Sequence, residues 1–113
     1  MSVTRTFTVT VVSTGSGNKY FIDGVQQDTV YLAEGRTYRF DQSDSSNDSH
    51  PLRFSTTSDG SHGGGSEYTT GVTTNGTPGQ AGAYTEITVA TSAPTLYYYC
   101  TNHSGMGGQA NTP

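Results

Sequence analysis

Cysteine occurs once in this sequence, at Cys100, and tryptophan not at all. A single thiol excludes a disulfide within the chain, so the residue is a buried hydrophobe, a reactive thiol or a metal ligand. Basic residues are nearly as scarce: Arg5, Lys19, Arg36, Arg39 and Arg53 face nine acids, for a net charge of −4. That leaves no electrostatic footprint for nucleic acid and little attraction to an anionic membrane surface. No run is long and apolar enough for membrane insertion. Polar, alternating residues follow Met1 directly and do not read as a leader, so either export is not used or an export segment has been removed.

Apolar residues make up only 30% of the chain, and Gly, Ser and Thr recur throughout. A disordered chain would share that texture, but it would lack the eight tyrosines and four phenylalanines found here. The expectation is β structure joined by long polar loops, and the length of 113 residues predicts a single domain over 1–113.

Period-two alternation is the dominant pattern, the signature of strands with one buried face. Phe7, Val9 and Val11 alternate with Thr6, Thr8 and Thr10 in a first strand. Tyr20 with Ile22, Val30 with Leu32, and Tyr38 with Phe40 mark three more, ended or separated by turn residues such as Asp23-Gly24. A polar loop from Gln42 to Ser49 leads to His50-Pro51, with Leu52 and Phe54 on one face beyond it. Asp41, Asp44 and Asp48 read as acids of a solvated loop. From Thr56 to Gly82 the chain is rich in Gly, Ser and Thr; a loop that long is unusual in a compact domain, which predicts a short irregular strand near Tyr68 to Thr74. Ile87 and Val89 point inward, and Leu96, Tyr98 and Cys100 share a face opposite Tyr97 and Tyr99. The tail from Gly107 to Pro113 shows no alternation. Many short strands with turns between them, and no helical period, predict an all-β sandwich or barrel.

The chemistry concentrates in Cys100-Thr-Asn-His103-Ser-Gly-Met106, which leaves an aromatic strand and enters a glycine-rich turn. Thiolate, imidazole and thioether within one tight loop can converge on a single ion, with His50 supplying a fourth ligand from a loop-to-strand boundary. Two His, one Cys and a weak Met is the donor set of a blue-copper centre, and the thioether argues against zinc. Four protein ligands leave no open position for a substrate water, so the site would carry an electron and the chain is not expected to be an enzyme. His62, in Ser-His-Gly-Gly-Gly, reads as a flexible surface histidine. Ser104 beside His103 lacks a carboxylate to orient the imidazole, so triad chemistry is not supported.

The stretch Leu96-Tyr-Tyr-Tyr-Cys-Thr-Asn-His-Ser-Gly-Met-Gly resembles the copper loop of plastocyanins and amicyanins, with the short Cys-x2-His-x2-Met form most similar to amicyanin. The segment from Val30 to Phe54, ending in a polar loop and His50, resembles the corresponding half of the cupredoxin fold. The resemblance implies a Greek-key β-sandwich of about seven to eight strands with one copper ion near one end. It also implies roles: His50 as the buried first ligand, Cys100 as the thiolate, His103 as the exposed ligand through which electrons pass, and Met106 as the axial ligand. A redox partner protein follows from that function. The sequence departs from the family where an Asn usually follows the first His, since Pro51 has no N–H to donate to the sulfur, and where a final strand usually follows the Met. The unpatterned tail therefore predicts an open sheet edge beside the Leu96 to Cys100 strand, covered by a neighbouring chain. The loops and the missing leader also resemble cupredoxin-like domains of marine phage virion and tail proteins. That resemblance implies a structural module among neighbouring subunits of an assembly, virion-associated, whereas a removed leader implies a periplasmic or extracellular carrier. Copper storage or delivery is a third reading.

Overall fold

The computed structural model describes residues 2–113 and is all-β apart from two 3-10 turns. Among these residues eleven strands form two mixed sheets. The first contains β1 (Arg5–Thr14), β2 (Gly17–Ile22), β3 (Val25–Gln26), β5 (Thr37–Asp41), β8 (Val72–Asn75) and β9 (Tyr84–Thr88), in the order β3-β2-β1-β5-β9-β8. The second runs β4-β11-β10-β6-β7, from β4 (Val30–Tyr31), β6 (Leu52–Ser55), β7 (Glu67–Tyr68), β10 (Leu96–Cys100) and β11 (Gly108–Asn111). Pairing is antiparallel except for β1 with β5 and β11 with β4. The strand count exceeds seven or eight because the two-residue β3 and the unpatterned β11 show no alternation, and because β7 and β8 stand where a single irregular strand was expected.

The alternating residues do what their spacing predicts. Phe7 and Val9 of β1, Tyr38 and Phe40 of β5, and Ile87 of β9 are buried, and so are Leu52, Phe54, Leu96, Tyr98 and Cys100 from the other sheet. All belong to one apolar cluster, so the two sheets face each other across it, an arrangement compatible with a β-sandwich. Phe40 sits at its centre, stacked on Phe7 at 4.9 Å between ring centroids and edge-on to Phe54 at 5.3 Å. Aromatic pairs at these separations add to the area they bury, and this cluster carries the association of the sheets.

The tail corrects one expectation. Gly108–Asn111 is a strand, antiparallel to β10 through Leu96↔Ala110 and Tyr98↔Gly108 and parallel to β4 through Ala110↔Val30. It escapes pattern reading because backbone pairing on both sides carries it and only Ala110 is buried in the core. Glycine permits the approach: a Cβ on Gly107 would collide with the Tyr98 carbonyl. Thr112 pins the end by donating its hydroxyl to the Ala93 and Pro94 carbonyls. β10 is thus flanked by β11 and β6, and the open edge predicted beside it is closed by the chain itself.

The segment from Thr56 to Gly82 contains β7 and β8 near the predicted position, and also a 3-10 turn at Gly60–Gly63. That turn covers Tyr99, which is only 2% exposed, so the outer face of β10 is largely buried rather than open.

Candidate metal centre

β10 ends at Cys100 in the core, and the chain then turns through His103 and Gly105 to re-enter the core at Met106 before β11 begins. His50 precedes β6, the strand beside β10, in the register that places Leu52 opposite Cys100. Strand pairing therefore brings together side chains fifty residues apart. The Cys100 Sγ lies 3.6 Å from His50 Nδ1 and 3.8 Å from His103 Nδ1, and the two imidazole rings are 4.6 Å apart. The donor atoms of all three fall within 4.8 Å of one another.

These spacings fit a shared ion. Bonds of about 2.3 Å to sulfur and about 2.0–2.1 Å to nitrogen, meeting at about 110–120°, set sulfur and nitrogen about 3.6–3.8 Å apart. A weak N–H···S contact has a similar length, but here two Nδ1 atoms take that distance to the same sulfur. His50 and Cys100 are buried and His103 is exposed, so the group is closed on one side and open on the other. Burial, and after it repulsion from His103, lowers the His50 pKa, outweighing the opposite pull of Asp48. A depressed pKa keeps the imidazole neutral near neutral pH, the form that ligates. Met106 is buried in the same core cluster and shares a small cavity wall with His103 and Asn102. Its backbone is fixed: the Tyr20 N–H donates to the Met106 carbonyl at 3.0 Å, and the Gln27 amide donates to the Gly105 and Gly107 carbonyls on either side.

Behind His50 lies a buried polar network that pattern reading passed over. The Gln42 to Ser49 loop holds a 3-10 turn, Ser45–Asn47, capped by the Asp44 carboxylate, and it carries Asn47 inward to full burial. The Gln42 amide donates to the His50 carbonyl at 2.7 Å and to Asn47 Oδ1 at 3.1 Å, while its own oxygen accepts the Leu52 N–H at 3.0 Å. The Tyr20 hydroxyl donates to the same His50 carbonyl at 2.6 Å. Burial pushes the Tyr20 phenol well above its ordinary range, and the neighbouring Cys100 sulfur pushes it the same way, so it stays a donor. Pro51 offers no N–H; the His50 carbonyl before it takes two buried donors, and the Pro51 carbonyl accepts from the Thr101 N–H at 3.2 Å. No buried side-chain nitrogen or oxygen among the described residues lacks a partner.

His62 lies at the surface, as expected, but is tied to the ligand loop. Its Nε2 lies 2.8 Å from the Cys100 carbonyl oxygen, with its ring edge-on to Tyr99. A carbonyl only accepts, so Nε2 carries the proton. The one signal in the sequence was the density of glycines around it, which is what lets the turn fold back onto β10.

No family model and no curated protein sequence matches the chain. The His50–Cys100–His103 group of this two-sheet β protein could hold a metal ion.

Proposed function

We propose that this protein is a cupredoxin-type copper protein that transfers single electrons, with His50, Cys100, His103 and Met106 as the ligands of one copper ion. The observation that carries the reading is the pair of similar sulfur-to-Nδ1 separations, 3.6 and 3.8 Å, around a buried thiol. A soft thiolate and two imidazoles favour copper, and a thioether from the same loop makes the set that of an electron-transfer centre rather than a structural zinc site. Bound copper supplies a one-electron Cu(II)/Cu(I) couple.

The chain's own residues do the rest. Cys100, fully buried, presents its sulfur away from water. Gln42 and Tyr20 hold the His50 backbone, and Gln27 and Tyr20 hold the segment carrying Met106. His103 is the exposed member of the group and faces the side from which a redox partner protein would approach. A Greek-key cupredoxin sandwich is the fold this reading implies, and the two facing sheets, with His50 just before β6 and the other proposed ligands from the end of β10 to the turn before β11, support it. The rival reading, a structural module of an assembly, drew in part on an open edge expected beside β10; β11 removes that part of its support.

Voltammetry on the copper-loaded protein tests the proposal. A single reversible one-electron wave, absent in Cys100→Ser, is expected. Stoichiometric copper that stays redox-silent would instead favour storage or delivery.

A further inference from the structure

The metal loop is gripped from outside the ligand set. The segment from Ser58 to Gly65 leaves β6 and returns to β7 as a closed loop whose neck is tied by Ser55: its hydroxyl accepts the Thr57 N–H at 3.1 Å and donates to the Ser66 carbonyl at 2.7 Å. Asp59 and Gly60 both adopt the left-handed conformation, with φ of 62° and 54°. For Gly60 the conformation is cheap, and it has to be glycine, because a Cβ there would sit 2.5 Å from the Tyr99 ring. For Asp59 it is uncommon, although aspartate is among the residues that tolerate it. The double turn drops the segment flat onto β10 and aims two side chains at the Cys100–Met106 loop. His62 reaches the carbonyl of Cys100, where the loop begins, at 2.8 Å. Asp59 Oδ1 accepts the N–H of Gly105, the residue before Met106, at 3.0 Å. Gly105 is held from its other side as well, its carbonyl accepting from Lys19 Nζ at 2.7 Å.

We infer that this segment is a strap, and that His62 and Asp59 are positioning residues which set the ligand loop before any metal arrives. His62 fixes the Cys100 backbone and with it the direction of the thiol. Asp59 fixes the turn that delivers Met106 into the core. The two bonds bracket the loop at its ends, whereas the ligands lie between and at those ends. This is a division of labour forced by composition: Thr101, Asn102, Ser104 and Gly105 are exposed or half-buried and pack little of the loop against the core, so polar bonds from a second segment must supply the rigidity that apolar contact does not. Outer-shell partners of this kind typically govern metal affinity by about 10- to 100-fold.

The inference rests on the metal-site reading, and the experiment separates the two. Wild type, His62→Ala, His62→Gln, Asp59→Ala and Asp59→Asn are compared without metal by amide hydrogen exchange, and with Cu(II) by chelator competition and visible spectroscopy. In metal-free Asp59→Ala the Gly105 amide should exchange about tenfold faster or more, and Asp59→Asn, which keeps an acceptor oxygen, should recover part of that protection. With copper, His62→Ala should weaken binding by about tenfold or more and shift the thiolate-to-copper band, and His62→Gln, which keeps a donor at the same reach, should move both back toward wild type. A Gly105 amide unchanged in Asp59→Ala overturns the strap whether or not copper binds. Variants that match wild type in affinity and band position overturn the positioning roles and leave the metal site standing. A wild type that binds no copper, with Gly105 protection still lost in Asp59→Ala, overturns the metal reading and retains the strap.

Discussion

Replacing Gln42 by methionine isolates the polar support behind His50, because the side chain keeps its length and loses every hydrogen-bonding atom. Gln42 is 1% exposed and serves three partners: the His50 carbonyl, Asn47 Oδ1 and the Leu52 N–H. The His50 carbonyl keeps Tyr20 as a donor, so it is not orphaned. The Leu52 N–H and Asn47 Oδ1 belong to residues with no solvent exposure and lose this partner with no water to replace it. Each buried polar group left without a partner costs about 1–3 kcal/mol, so Gln42→Met should destabilise the metal-free protein by about 2–6 kcal/mol. Against a total stability of about 5–15 kcal/mol that is a large fraction, and it should lower the melting temperature by roughly 10 °C or more. Urea unfolding followed by tyrosine fluorescence reads the change as a shift in midpoint with little change in slope. A loss below about 0.5 kcal/mol would mean that the Leu52 N–H and Asn47 Oδ1 find other partners or are not buried, against this expectation.

Further perturbations test the core, the titrating ligand and the axial position. Phe40→Ala removes the ring that stacks on Phe7 and meets Phe54 and Tyr98, and should cost about 3–5 kcal/mol in urea unfolding; a cost under about 1 kcal/mol would place the core elsewhere. His50 has a lowered pKa in the folded state, so the unfolded chain binds more protons as pH falls through the ordinary histidine range, and the metal-free protein should lose stability from about pH 6.5 downward until that lowered pKa is reached. Urea midpoints should show this fall in wild type and a shallower one in His50→Gln; equal slopes would remove His50 as the cause. Met106→Leu should retain copper but raise its reduction potential, because a thioether donor stabilises Cu(II) more than Cu(I), and a potential that stays put or drops would count against axial ligation.

How much of this was legible in the sequence depends on what carries each feature. Strands that bury large side chains at every second position, such as Phe7 and Val9 or Tyr38 and Phe40, announce themselves because the pattern is the cause of the burial. The approach of Cys100 and His103 was legible for a related reason, since one short loop sets it. His50 was readable only as a candidate; strand register, Leu52 against Cys100, is what brings it to the sulfur. β11 was hidden because main-chain hydrogen bonds and one alanine hold it, and neither leaves a period in the sequence. The burial of Tyr99, the reach of His62 and the inward turn of Asn47 were hidden for another reason. Each depends on a 3-10 turn whose residues look polar and loop-like, and only the packing of that turn on a strand or a ligand gives them a role.

Titration of the metal-free protein with Cu(II), monitored in the visible and repeated on Cys100→Ser, reads the proposed copper–thiolate bond itself. An intense thiolate-to-copper band that saturates at one ion per chain is expected in the wild type, with no such band in Cys100→Ser although both proteins keep the same far-ultraviolet β signature. Saturation without an intense band, or a band that survives in Cys100→Ser, would contradict the proposed bond.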